Sequence, residues 1–438
     1  MNKTTVLIIL DAFRWDYLNP EDTPCLLDMA EKGVWAQKLI SSTGFAQRSA
    51  IFCGAPPDVT GNFAMYIYSP EDSPFRFVQS SGLWHSLCRK NWFEYLPEFW
   101  PLDWIKVRRA KKREGLEASL RSWIREEGKK YSSYAPPGHV PLEILPFLGL
   151  SEDEKPIHEP GSLPVESIFD LCGEQGISVE FVMFPVTVDE DDNRILFRVQ
   201  SRIPERSQVY MFQFSDPDRV GHHHGTSGPE RHQMTREIDR KVELLRRDFE
   251  EQFDAVNWLI LGDHGMTDVV RKIDIARIVH DAAKLRGLEQ AIDYILFLDS
   301  TMARLWALTE RGSSFIREVL REDGRLADYG EVITNEVAER YRIPVADMRY
   351  GDVIWWANPG VLIWPDYFHH QERIIAGMHG YDSYHEDMKG FAIVSGNGLA
   401  PYKLPEVSLI DVCPTLCDLI GIAYPLGNEG ASMLRDGS

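Results

Sequence analysis

Three apolar runs in this 438-residue chain end on a carboxylate: Thr5–Leu10 before Asp11, Val209–Phe214 before Asp216 and Asp218, and Trp258–Leu261 before Gly262, Asp263 and His264. Two of those ends carry a histidine at short spacing. Asp218 and His222 lie four apart, so a helix or tight turn puts both on one side, near enough to share a cation. Asp263 and His264 are adjacent, and Gly265 lets the backbone turn away from the strand. Met378-His379-Gly380-Tyr381-Asp382 repeats the same logic further on. Each of these has a plainer reading as a turn with solvated histidines. Taken together, carboxylates and imidazoles are the donors of a zinc or manganese site. Two such cations a few Å apart clamp the attacking and leaving oxygens of an in-line displacement at phosphorus.

Near-continuous apolar runs of this length suit strands covered on both faces, as in a parallel sheet. In such sheets chemistry gathers at the carboxyl ends of the strands. The rest of the chain supplies matching elements: a helix over Pro24–Lys32, a strand over Val34–Ile40, and a helix from about Gln47 into Phe52 closed by Gly54-Ala55-Pro56-Pro57. The alternation resumes with a helix over Val165–Gln175 and a strand over Ile177–Phe184, and finishes with Phe391–Ser395 and a helix over Asp411–Ile420. This pattern predicts an α/β fold, a doubly wound, mostly parallel sheet flanked by helices, with inserted cap regions. The core is expected from residues 1–75, 161–272 and 373–438. Residues 76–160 read as a basic, Trp-rich, largely helical insertion, and residues 273–372 as a second insertion or small lobe. Within the latter, Tyr350–Trp356 and Val361–Trp364 look like short strands split by Asn358-Pro359-Gly360.

The net charge of -20, from 67 acidic against 47 basic residues, argues against a nucleic-acid polymer as partner. A small phosphorylated substrate stays open if cations supply the positive charge. The six cysteines are scattered, with no CxxC pair, which suits reduced thiols. No apolar run approaches membrane-spanning length, and the first strand starts too early for a secretory signal, so the expected setting is cytoplasmic. The basic run Lys106–Arg113, with Trp100 and Trp104 before it, could bring the 100–113 region to a membrane surface or an anionic substrate. The plainer alternative is a solvated helical face. Nothing in the pattern sets an oligomeric state.

The wording ILDAFRWDYL around Asp11, SDPDRVGHHHG around Asp218, LGDHGM around Asp263 and MHGYDS around His379, in that order, resembles the alkaline phosphatase superfamily. It is nearest to the nucleotide pyrophosphatase and type I phosphodiesterase branch. The late segment Leu409–Leu416 with Ile420-Gly421-Ile422 resembles the closing helix of that family. The resemblance covers nearly the whole core and leaves residues 76–160 and parts of 273–372 outside it. It implies hydrolysis of phosphodiester or phosphoanhydride bonds with two divalent metal ions, zinc first and manganese second. One would be held by Asp218, His222 and His379, the other by Asp11, Asp263 and His264. Alternatives on the same scaffold are a phosphomonoesterase, a phosphonate hydrolase, a phosphotransferase, or a metal-binding pseudoenzyme that recognises a phosphorylated ligand.

The chain departs from the family at the nucleophile, whose column falls on Gly44. Thr43, immediately adjacent, is the expected catalytic hydroxyl, with Ser49 in reserve; an ordinary helix cap is the plainer role for Thr43. Thr60-Gly61-Asn62 stands where the family carries His-Gly. Arg48 and Asn62 are the expected substrate-binding residues.

Overall fold

Strand β1 (Lys3–Leu10) is buried from Thr4 onward, and its side chains alternate between two cores. Leu7 and Ile9 join Met211, Leu259 and Leu261 on one face, packed against α2 (Gln47–Cys53), α3 (Ile168–Glu174) and α8 (Val412–Ile420). Val6, Ile8 and Leu10 join Phe212 and Ile260 on the other, packed against α1 (Pro24–Lys32), α4 (Asp192–Arg202) and α6 (Pro229–Gln252). Burying each such side chain contributes about 1.5–3 kcal/mol, which is why a strand with no polar face is stable only in the middle of a three-layer stack. The computed structural model describes residues 3–45, 47–80, 118, 122, 140–151, 155–183, 190–322, 324, 326–369, 374–396 and 398–434. Most of the basic, Trp-rich segment 76–160, including Lys106–Arg113 and the 100–113 region, lies outside the described residues. No helix among the described residues is long and apolar enough to cross a membrane.

The main sheet has eight strands. Besides β1 they are β2 (Val34–Ile40), β3 (Val179–Val182), β4 (Val209–Phe214), β5 (Ala255–Gly262), β6 (Gly390–Ser395), β7 (Tyr402–Leu404) and β8 (Val407–Ser408). The order is β7-β2-β6-β5-β1-β4-β3, with β8 also on β2. All pairs are parallel except those of β6, which runs antiparallel to β5 and β2. The direction of β6 has a simple cause: Phe391, at its start, pairs with Gly262, at the end of β5. The chain therefore enters the sheet from the edge where β1 and β5 leave it. The mostly parallel α/β architecture is the one the apolar runs predict.

Boundaries moved where capping decided them. The helix expected from Val165 begins at Ile168, because Ser167 and Asp170 form a capping box that fixes its first turn. Within residues 273–372 a separate four-stranded antiparallel sheet is built from Tyr294–Leu298, Met302–Ala307, Val353–Ala357 and Gly330–Val332, in that order. Val353–Ala357 and Val361–Ile363 do not pair with each other. The first joins this sheet, and the second runs parallel to Arg271–Ile273, because the carbonyl of Gly360 accepts from the backbone N–H of Val270 and Arg271 and draws the turn that way.

Candidate active site

Leu10 is in register with Phe214 on one side and Gly262 on the other, so Asp11 and Asp263 leave the sheet side by side. Helix α5 (Asp216–His224) follows β4 and puts Asp218 and His222 one turn apart. His379 arrives from the far part of the chain. Gly377-Met378 pairs with Thr267-Asp268, and the backbone N–H of Ala376 donates to the His222 carbonyl, clamping this loop onto the end of α5. The result is two clusters, Asp218 with His222 and His379, and Asp11 with Asp263 and His264. Within each, donor atoms lie within 4.8 Å of one another. The rings of His264 and His379 stack at 4.3 Å between centroids, so the clusters are neighbours.

Most of these residues have one polar atom tied away from the cluster and the other turned into it. Nδ1 of His222 donates to the Gly377 carbonyl at 2.9 Å, and Nδ1 of His264 to the Gly265 carbonyl at 2.9 Å. A carbonyl can only accept, so in the neutral ring both protons sit on Nδ1 and both Nε2 atoms present lone pairs. Oδ1 of Asp263 accepts from the backbone N–H of Ala12 and His264, and Oδ2 of Asp11 accepts from Nε2 of Gln213 at 2.7 Å. These lone pairs then face carboxylates: His222 Nε2 approaches Asp218 Oδ1 at 3.2 Å and His264 Nε2 approaches Asp11 Oδ1 at 3.3 Å, with His379 Nε2 also 3.3 Å from Asp218 Oδ1. Asp218 Oδ1 is buried without a hydrogen-bond partner. Acceptors aimed at acceptors need a positive charge between them. This oxygen and nitrogen donor set, three protein groups per cluster, fits divalent cations with a position left for substrate.

The protonation balance shows the same demand. Burial alone would lower the His264 pKa, but Asp263 and Asp11 more than reverse this and raise it to about 10, so without a cation a proton takes the place. Burial, with the Asp11 charge adding, pushes Asp263 up to about 7 against the pull of His264. Burial and the charge on His264 push His379 down to about 4.

The other expected site residues fall differently. Thr43 is buried, its Oγ1 3.4 Å from Ser383 Oγ. Both line a cavity of about 110 Å³ with Ser41, Ser42, Tyr341 and Tyr384, and none of the six clustered residues lines it. The link to the clusters is Phe45, whose ring meets His379 edge-on at 5.9 Å. Gln47 Nε2 donates to the Ser42 and Gly44 carbonyls at 2.8 and 2.9 Å, which fixes the turn carrying Thr43. Gly44 has φ +94, and a Cβ there would stand 2.2 Å from the Phe63 carbonyl oxygen, so this column admits no side chain. Asn62 is buried and its Nδ2 has no hydrogen-bond partner among the described residues. It precedes Phe63, whose carbonyl accepts from Phe45 N–H, so an unspent donor lies next to the Thr43 turn. Arg48 and Ser49 sit on α2, in neither the clusters nor the lining of the cavity. Gln213 was not anticipated; its signal was a lone amide in the otherwise apolar run Val209–Phe214.

Comparison with known proteins places this geometry among relatives. The chain is 25% identical over 241 residues to ectonucleotide pyrophosphatase/phosphodiesterase family member 7 of Rattus norvegicus, 51% of each chain. To the Mus musculus counterpart it is 23% identical over 451 residues, 99% of this chain and 88% of that protein. The alignment to the rat protein spans about half the length of that relative. Among solved structures, human ectonucleotide pyrophosphatase/phosphodiesterase 5 shares the fold with a TM-score of 0.64 at 17% identity, covering 98% of this chain and 97% of that one. An inactive threonine-to-alanine variant of the murine protein, in complex with AMP, matches with a TM-score of 0.64 at 15% identity over the same shares. The family model for type I phosphodiesterase / nucleotide pyrophosphatase matches residues 5–382, and the chain belongs to that family.

Proposed function

We propose that this chain hydrolyses phosphodiester or phosphoanhydride bonds of a small phosphorylated substrate, using two divalent cations, zinc by preference and manganese next. The observation that carries this is the pair of clusters in which the Nε2 lone pairs of His222 and His264 face carboxylate oxygens while the other nitrogen of each ring is tied to a backbone carbonyl. Asp218, His222 and His379 would hold one cation and Asp11, Asp263 and His264 the other. Cations held there would supply Lewis-acid polarisation of phosphoryl oxygens. Gln213 and the carbonyls of Gly265 and Gly377 keep the donors aimed. Asn62 offers its unspent amide to a phosphoryl oxygen, and Arg48 is a second contact to substrate. Thr43 supplies or orients the attacking group, on a turn clasped by Gln47.

The name of the matched family and those of the relatives support a diester or anhydride over a monoester. A cytoplasmic setting belongs to the same proposal, supported by the free thiols of Cys25, Cys53, Cys172, Cys413 and Cys417. Contact of the 100–113 region with a membrane surface is likewise proposed, from its basic, Trp-bearing sequence.

One observation favours a second reading, a pseudoenzyme that holds cations and a phosphorylated ligand without turnover. The Gly44 column admits no side chain, and the cavity at Thr43 is not lined by the clusters. Assaying a chromogenic diester with cation-depleted protein, then with zinc or manganese restored, separates the two. Multiple turnover on restoration supports the hydrolase, and cation binding without turnover supports the pseudoenzyme.

A further inference from the structure

His369 has no part in the proposed chemistry, yet its ring centroid stands 5.9 Å from that of His222. Four imidazoles follow one another here: His264 to His379 at 4.3 Å, His379 to His222 at 5.2 Å, and His222 to His369 at 5.9 Å. The first three belong to the clusters. The fourth belongs to neither.

His369 is held as a surface histidine is not. The segment Asp366–His369 folds around the Asp366 carboxylate, which is buried. Its Oδ1 accepts from the backbone N–H of Phe368 at 3.2 Å and of His369 at 2.8 Å. Its Oδ2 accepts from Ser300 Oγ at 2.7 Å and from His369 Nδ1 at 2.7 Å. Both oxygens are therefore spent, and the Ser300 proton goes to Asp366, which leaves Ser300 no role as a nucleophile beside this imidazole. A buried carboxylate that fixes the tautomer and direction of a ring is how proteins aim a histidine at a ligand. Nδ1 gives its hydrogen to Asp366, so in the neutral ring Nε2 carries the lone pair. Nε2 has no hydrogen-bond partner among the described residues, and the side chain is 18% exposed. Trp364 flanks it, ring centroids 6.4 Å apart.

An acceptor aimed in this way discriminates by chemistry. It repels a further anionic oxygen, and an apolar neighbour would cover it without pairing it. A hydroxyl donor both fits and pairs, and a site built for such a donor rejects the analogue that lacks it.

We propose that His369 determines specificity at the arm of the substrate nearest the Asp218, His222 and His379 cluster, its Nε2 accepting from a hydroxyl a few bonds beyond the ester oxygen. Asp366 and Ser300 are positioning residues that act through it. The inference rests on the phosphate-ester reading above and narrows it to esters of hydroxylated alcohols over simple alkyl or aryl esters.

The test is calorimetric titration of the full chain, loaded with zinc, with inorganic phosphate, propyl phosphate and glycerol 3-phosphate. The two esters share charge and carbon skeleton, so the ratio of their affinities isolates the hydroxyls. Glycerol 3-phosphate should bind about fivefold or more tightly, as one hydrogen bond to an otherwise unpaired acceptor implies. His369→Phe should bring the ratio close to one. His369→Gln should keep part of it, because an amide can donate to Asp366 and still present an acceptor. Zinc content, measured by elemental analysis, should be the same in both variants as in the unaltered protein. Loss of zinc in the variants would make His369 a support of the clusters and overturn the inference. Equal affinities in the unaltered protein, or an unchanged ratio in His369→Phe, would overturn it too. If inorganic phosphate fails to bind, the phosphate-ester reading falls and takes the inference with it. If phosphate binds and the hydroxyl preference is absent, the role of His369 falls alone.

Discussion

Nε2 of Gln213 donates to Oδ2 of Asp11 at 2.7 Å, which leaves Oδ1 of Asp11 turned toward His264 Nε2. The amide reaches from β4 to the end of β1, across a pairing that runs in register from Thr5 to Leu10. Gln213 thus aims a carboxylate that three-residue motifs alone would leave free to rotate.

Gln213→Leu should therefore weaken cation binding at Asp11, Asp263 and His264 by roughly 10–100-fold, the usual cost of losing a partner that orients a ligand. Competition with a chromogenic chelator measures it. Thermal stability in chelator should change little, because leucine suits the buried strand. Unchanged cation affinity would show that the amide does not position Asp11.

Thr43→Ala should lower kcat for a diester by ~10³-fold or more with little change in cation content. Its Oγ1 makes one long contact, to Ser383, so the fold loses little. Near-normal turnover would make Thr43 a structural cap and leave the attack to water.

How much of this was legible from sequence differs residue by residue. Asp11 and Asp263 could be read because an apolar run that stops at an acid is a local pattern, and strand ends are where parallel sheets carry chemistry. Asp218 and His222 could be read because four residues make one helical turn. The direction of β6 could not, since it depends on where the 379–389 connection enters the sheet. Nor could the carbonyls of Gly265 and Gly377, because a backbone acceptor has the same letter code whether it is spent or free.

Putting threonine back into the nucleophile column should fail. Gly44→Thr forces a side chain onto φ +94 and a Cβ to 2.2 Å from the Phe63 oxygen. Backbone strain of this kind costs about 1–3 kcal/mol before the clash is counted. Chemical denaturation should show the loss, with no gain in turnover. A stable, more active Gly44→Thr would mean that the turn is far more yielding than its contacts imply.

Asp192 predicts a pH effect on stability. It is buried, and both oxygens accept backbone N–H groups at the start of α5, from Ser215 at 2.8 Å and Asp216 at 3.0 Å. Burial, with the charge of Asp216 adding, raises its pKa from 3.8 to about 7, against those amides and Lys241. The folded state therefore holds this proton more tightly than the unfolded chain. The contribution is full below about pH 4 and is lost as pH rises through about 7. Asp192→Asn should flatten the fall in unfolding midpoint across that window, measured in chelator so that cation binding does not intrude. Parallel curves for the two proteins would contradict the assignment.

The most direct measurement compares hydrolysis of bis(4-nitrophenyl) phosphate and 4-nitrophenyl phosphate by the full chain, first stripped of cations and then given zinc or manganese. The account predicts no turnover when stripped, recovery that saturates near two cations per chain, and a higher kcat/KM for the diester. His222→Ala and His264→Ala should each leave one cation bound and abolish most of the recovery. Turnover independent of cations, or two cations bound with neither ester hydrolysed, would contradict it.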